Sequence, residues 1–161
     1  GKYYIKKETV KNTIWLVKML MKKYDVPVKL FRIEITETAF ADSEELISEK
    51  VAELISLGFV VEIDDFGSGY SSLNMLKDVC SDVLKIDREF LRETENAVRS
   101  RDILEEIIRL SNRMNMTVIT EGVETKEQVE MLTDMGCRVF QGFYFSKPIS
   151  IQEFEDKYKV V

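Results

Sequence analysis

The sequence predicts an α/β protein made of consecutive βα units with a parallel sheet. Three observations carry that expectation. Short runs rich in β-branched residues recur along the chain, stretches with helical apolar spacing separate most of them, and each run closes on a polar residue. At 161 residues, with 45% hydrophobic and 32% charged content, the chain can bury one sizeable core, and nothing suggests a second domain.

Taken in order, Thr9 to Tyr24 set Val10, Ile14, Val17 and Met21 on one helical face, the spacing of a core-facing helix. After Pro27, residues Leu30 to Glu37 alternate strictly. Phe31, Ile33 and Ile35 fall on one side and Arg32, Glu34 and Thr36 on the other, which predicts a strand with one polar face. Asp42-Ser43-Glu44-Glu45 has the form of a helix start with a capping box. Ile47, Val51 and Leu54 then extend a helical stripe that Gly58 stops. Phe59-Val60-Val61-Glu62-Ile63 is a short buried strand leading straight into Asp64-Asp65, and Ser71 to Lys77 can form a helical turn.

Val83 to Asp87 predicts a third strand with Lys85 and Asp87 on one face. Between Ser100 and Asn115, Ile103, Ile107, Leu110 and Met114 are in register for an amphipathic helix, and Thr117 to Glu121 forms the next strand. Thr125-Lys126-Glu127-Gln128 is a capping box that opens a helix carrying Val129 and Leu132 and closing at Gly136. A short strand near Arg138-Val139-Phe140-Gln141 follows, and Ser150-Ile151-Gln152-Glu153 caps a final helix.

Glu34, Asp64, Lys85, Glu121 and Gln141 occupy comparable strand-end positions, where α/β folds often place function. A closed βα-barrel needs eight strands and about 250 residues. With five strands, the chain is either an open doubly wound sheet or the carboxyl-terminal part of a barrel. The pair Asp64-Asp65 runs into the glycine-hinged, hydroxyl-rich loop Phe66 to Ser72, which suits a metal ion, whereas an isolated Asp-Asp pair is more often a solvated turn.

Composition narrows the chemistry. Histidine is absent and Cys80 and Cys137 lack a CxxC spacing, which argues against zinc, a disulfide scaffold and any His-dependent triad. Asp, Glu and Lys remain for acid, base and ligand work, and hard, oxygen-seeking cations become the plausible metals. A net charge of −6 disfavours DNA, although a small anion could bind if metal ions invert the local field. No apolar run is long enough to span a bilayer and no leader is evident, so a reducing, cytoplasmic home without direct membrane contact is expected.

Several motifs together resemble the EAL-type cyclic-di-GMP phosphodiesterase domain of bacterial signalling. They are Glu34-Ile35-Thr36-Glu37, the segment Asp64-Asp65-Phe66-Gly67-Ser68-Gly69-Tyr70-Ser71-Ser72-Leu73, Lys85-Ile86-Asp87, Glu121-Gly122-Val123-Glu124-Thr125 and Gln141-Gly142-Phe143-Tyr144-Phe145-Ser146-Lys147-Pro148. They occur in the family's order over about residues 30–148. The resemblance implies one partial EAL domain over residues 1–161: a partial TIM-like (β/α) barrel of about five parallel strands, without the Glu-Ala-Leu strand and the strand bearing an Asn ligand. Tyr3-Tyr4-Ile5 is a candidate remnant of the latter.

Carried over residue by residue, the resemblance makes Glu34 and Asp64 metal ligands and gives Asp65 and Asp87 to a second metal or its waters. Lys85 would hold the attacking water or a phosphate oxygen, and Glu121 would be the general base. Glu37 would anchor the loop containing Ser68 and Gly69, with Glu124 an acidic support and Gln141 a polar contact in the mouth. It further implies two Mg²⁺ or Mn²⁺ ions in the intact domain, cyclic di-GMP as substrate, a homodimer or other self-association, and regulatory domains in the parent protein. The isolated chain is expected to be inactive or nearly so, and a catalytically silent cyclic-di-GMP receptor or interaction module is the alternative. Simpler roles stand beside these: a structural Lys85–Asp87 ion pair, helix capping or loop fixing by Glu37 and Glu124, and packing by Phe143, Tyr144 and Phe145. Glu62, on the face of Asp64, has no role in the pattern.

Overall fold

The computed structural model describes residues 7–42, 44–68, 72–92 and 96–159, without the side chains of 7–13 and 72. The β-branched runs form five strands, β1 (Arg32–Thr36), β2 (Val60–Phe66), β3 (Val83–Ile86), β4 (Thr117–Thr120) and β5 (Val139–Phe140). All neighbours are parallel and lie side by side in sequence order. A doubly wound sheet would reverse its strand order at a switch point, and this one does not. The arrangement is that of a barrel segment, and among the described residues the sheet is open, with β1 and β5 each paired on one side.

Strand alternation divides the two faces. Ile35, Val61, Ile63, Leu84, Ile86 and Val118 point to one side, where they are buried against the helices. Those helices are α1 (Lys7–Tyr24), α2 (Glu37–Asp42), α3 (Glu44–Ser56), α4 (Ser72–Asp78), α5 (Ala97–Arg113), α6 (Lys126–Asp134) and α7 (Ile151–Tyr158). Phe40, Val51, Met75, Leu104, Ile108 and Leu132 fill the layer between helices and sheet. Burying each such side chain contributes about 1.5–3 kcal/mol, which places most of the stability on this outer face. The inner face carries the polar set Arg32, Glu34, Glu62, Asp64 and Lys85.

Three local readings are corrected. The helix expected to begin at Asp42 begins at Glu44, because a separate short helix, α2, already occupies Glu37–Asp42; Ser43 of the expected box lies outside the described residues. In α5 the buried face is Leu104, Ile107, Ile108 and Ser111, whereas Ile103, Leu110 and Met114 are exposed. Both stripes have helical spacing, and contact with β4 selects the one that is buried. Glu34 sits in the middle of β1, paired in register with Glu62, while the partner of Asp64 is Thr36. The capping boxes at Thr125–Gln128 and Ser150–Glu153 both form. Tyr3-Tyr4-Ile5 lies outside the described residues.

Candidate functional site

Three strands deliver carboxylates to one ammonium group. Lys85 Nζ on β3 lies 2.8 Å from Glu34 Oε1, 2.7 Å from Asp64 Oδ1 and 2.9 Å from Glu121 Oε1. Lys85 is nearly buried, at 10% side-chain exposure, whereas Glu34 opens to solvent at 52%. Burial works to lower the Lys85 pKa, but contacts with Asp64, Glu34 and Glu121 outweigh it and raise the value above the ordinary lysine range. The side chain therefore remains a cation. Its geometry leaves no ion pair with Asp87 among the described residues.

Adjacent residues of a regular strand point to opposite faces, so Asp64 and Asp65 could not both reach the mouth without an irregularity. One is present. The β2–β3 register shifts between Ile63 and Phe66, and Asp65 takes a left-handed backbone, φ 56°. Aspartate tolerates that conformation better than most residues, and the shift returns Phe66 to the core. Gly67, at φ 98°, completes the turn, where a Cβ would overlap the Phe90 ring. Burial, then the charges of Asp64 and Asp87, push the Asp65 carboxyl up from its usual range.

Asp64, Asp65 and Glu121 each offer an oxygen within 4.8 Å of the other two. The oxygen Asp64 Oδ1 is buried, and among the described residues its partner is the Lys85 ammonium at 2.7 Å. Converging carboxylates, one with a buried oxygen held by an ion pair alone, fit a hard divalent cation. Glu34 extends the set by sharing Lys85 with them.

The remaining expected residues surround this cluster. Asp87 follows β3, accepts a hydrogen bond from Glu89 N at 2.8 Å and caps the 3-10 turn Arg88–Leu91. With Glu121, Glu124 and Gln141 it lines a cavity of about 520 Å³ at the strand ends. Glu124 has its backbone N–H tied to Gln128 Oε1, so its position follows from the α6 cap. Glu37 is buried and accepts a hydrogen bond from Gly67 N at 3.2 Å, beneath the loop. Ser68 is exposed, its N–H bonded to Asp65 O, and Gly69 lies outside the described residues.

Sequence reasoning missed two groups. Arg88 with Phe154 and Tyr158 of α7 line the same cavity as Glu121. Phe154 and Tyr158 stand four residues apart, a spacing that puts both on one helix face without giving its target. Arg32 pairs with Glu62, which accounts for the unexplained acid. Both lay on polar strand faces, but strand order was needed to bring them together.

The sequence profile described as "EAL domain" matches residues 9–148. Among curated proteins, the chain is 38% identical over 145 residues to the signaling protein YkoW of Bacillus subtilis, covering 90% of this chain and 18% of that protein. It is 35% identical over 127 residues to the cyclic di-GMP phosphodiesterase PdeR of Escherichia coli, covering 79% of this chain and 19% of the relative. The chain thus spans under a fifth of these two proteins. Among solved structures, the EAL enzyme Bd1971 in its cGMP-bound form aligns at TM-score 0.85 and 32% identity, over 96% of this chain and 41% of that one. The manganese and cy-diGMP complex of Klebsiella pneumoniae BlrP1 aligns at TM-score 0.77 and 30% identity, over 88% and 37%.

Proposed function

Because the chain belongs to the EAL domain family, we propose that the protein carrying it hydrolyses cyclic di-GMP to linear pGpG in the presence of Mg²⁺ or Mn²⁺. The observation that carries this reading is the convergence of Glu34, Asp64 and Glu121 on Lys85 beside a cavity able to take a nucleotide. The named cyclic di-GMP phosphodiesterase among its relatives supports it.

In this reading Glu34 and Asp64 would hold metal, and Asp65 and Asp87 would serve a second ion or its waters. The bound ions would supply a nucleophilic water and balance the phosphate charge. Lys85, held cationic by its three carboxylates, orients the attacking water or a phosphate oxygen. Glu121 accepts the proton of that water as a P–O bond of the ring breaks, and the leaving sugar oxygen takes up a proton. Glu37 fixes the loop of Ser68 and Gly69 through Gly67 N, while Glu124 and Gln141 line the substrate side. Arg88 and the rings of Phe143, Phe154 and Tyr158 give the cavity a cation and apolar surface suited to a nucleotide.

We read residues 1–161 as one partial EAL domain, inactive or nearly so by itself because its sheet is open. Self-association and regulatory domains in the parent belong to the same proposal, as does a cytoplasmic location. Among the described residues no helix is long and apolar enough to cross a membrane.

The test is turnover of cyclic di-GMP by the full-length protein with Mn²⁺ or Mg²⁺. Linear pGpG should form, and Glu121→Gln should lower kcat by about 10²–10⁴ while retaining binding. Tight binding with no turnover, under either metal, would make the protein a receptor instead.

A further inference from the structure

Glu62 takes no part in the chemistry proposed above, yet its carboxylate is buried, with the residue 3% exposed. It lies two residues before Asp64 on the same face of β2, and its Cα partner across the sheet is Glu34. A buried acid in such a place is costly unless it is paired. Arg32 provides the partner, its Nη1 donating to Glu62 Oε1.

Arg32 shares the inner face of β1 with Glu34 and precedes it by two residues. Two charge groups therefore adjoin on the inner face, with Glu62 beside Glu34 across the sheet. In the first, Arg32 and Glu62 cancel. In the second, three carboxylates face the single ammonium of Lys85, which leaves an excess of negative charge.

We propose that Arg32 and Glu62 are positioning residues that set the charge beneath the carboxylate cluster, and hence its affinity for a divalent cation. This rests on the metal reading given above. Arg32 precedes Glu34, and Glu62 precedes Asp64, by two strand steps of about 7 Å, and Glu62 is also the cross-strand neighbour of Glu34. The charge of Glu62, 4% exposed at its side chain, is weakly screened, whereas that of Arg32, at 57%, is screened more by water. Without Arg32, Glu62 adds a negative charge and becomes a competitor for Lys85. Without Glu62, Arg32 adds a positive charge and becomes a competitor for Glu34. The two losses change cation affinity in opposite directions, whereas loss of a pair that only packs would not.

The experiment is Mn²⁺ titration of the purified full-length protein, with free Mn²⁺ followed by electron paramagnetic resonance and metal-free melting recorded beside it. Glu62→Gln should weaken Mn²⁺ binding by about tenfold, and Arg32→Gln should tighten it severalfold. The double variant, which restores the net charge, should return to within about twofold of the parent. Equal Mn²⁺ affinity in all variants, with lowered melting temperatures, would reduce the pair to a structural role and overturn the proposal. If the full-length protein binds no Mn²⁺, or its Asp64→Asn variant binds it equally well, the metal reading itself fails and this inference fails with it. Should Glu62→Gln not fold, Arg32→Gln and the double variant still decide the sign.

Discussion

Lys85 keeps three carboxylates from repelling one another in the absence of metal, so its removal has two separable consequences. Lys85→Met should lower metal-free stability by about 2–3 kcal/mol, below the figure for a fully buried pair because Glu34 is half exposed. Added Mn²⁺ should then stabilise the variant more than the parent, since a cation replaces the lost ammonium. Urea denaturation with and without Mn²⁺ measures both, and equal metal-induced shifts would count against a shared site. At this scale the sequence was informative about kinds of residue. Glu34, Asp64, Lys85 and Glu121 were readable as one group from their motifs, but the partner of Glu62 was not, because Arg32 stands 30 positions away and only strand pairing brings it close.

Among the elements, those closed by local hydrogen bonds were the most legible. The Thr125 side chain accepts from Gln128 N at 3.2 Å, so Thr125→Ala should cost about 1 kcal/mol in denaturant unfolding. At α7, hydrogen bonds from the Ser150 amide and hydroxyl hold the Glu153 carboxyl below its usual range. A lowered folded pKa means stabilisation present above the ordinary glutamate range and lost as pH falls through the lowered value. The Ser150 amide resonance should accordingly titrate with a midpoint below about 4.3, and a midpoint at that ordinary value would show an open box. The α5 face and the Asp64-Asp65 turn were less legible. Ile103 and Leu104 are equally apolar, and a strand irregularity has no signal in residue type beyond the neighbouring glycine.

For the whole molecule, the open sheet of the described residues is the dominant fact. Among them β1 and β5 present unpaired edges, and the adjacent helices expose Trp15 and Met19 of α1 and Ile151, Phe154 and Tyr158 of α7. Bare edges and uncovered apolar helix faces invite pairing with another segment or another copy. The isolated chain should therefore show concentration-dependent association in sedimentation velocity, and a single monomeric species throughout would contradict this.

The order of βα units and the capping boxes at Thr125 and Ser150 were set by local chemistry: apolar period, cap residues and glycines act within a few positions of themselves. Tertiary structure alone decided that the strands lie in sequence order, that β2 breaks register to turn two adjacent acids into one mouth, and that Leu104 rather than Ile103 meets the sheet. It also decided that Lys85 is shared by three carboxylates and that Arg32 neutralises Glu62. These depend on contacts between residues far apart in the chain, whose distances no local pattern sets until the sheet has formed.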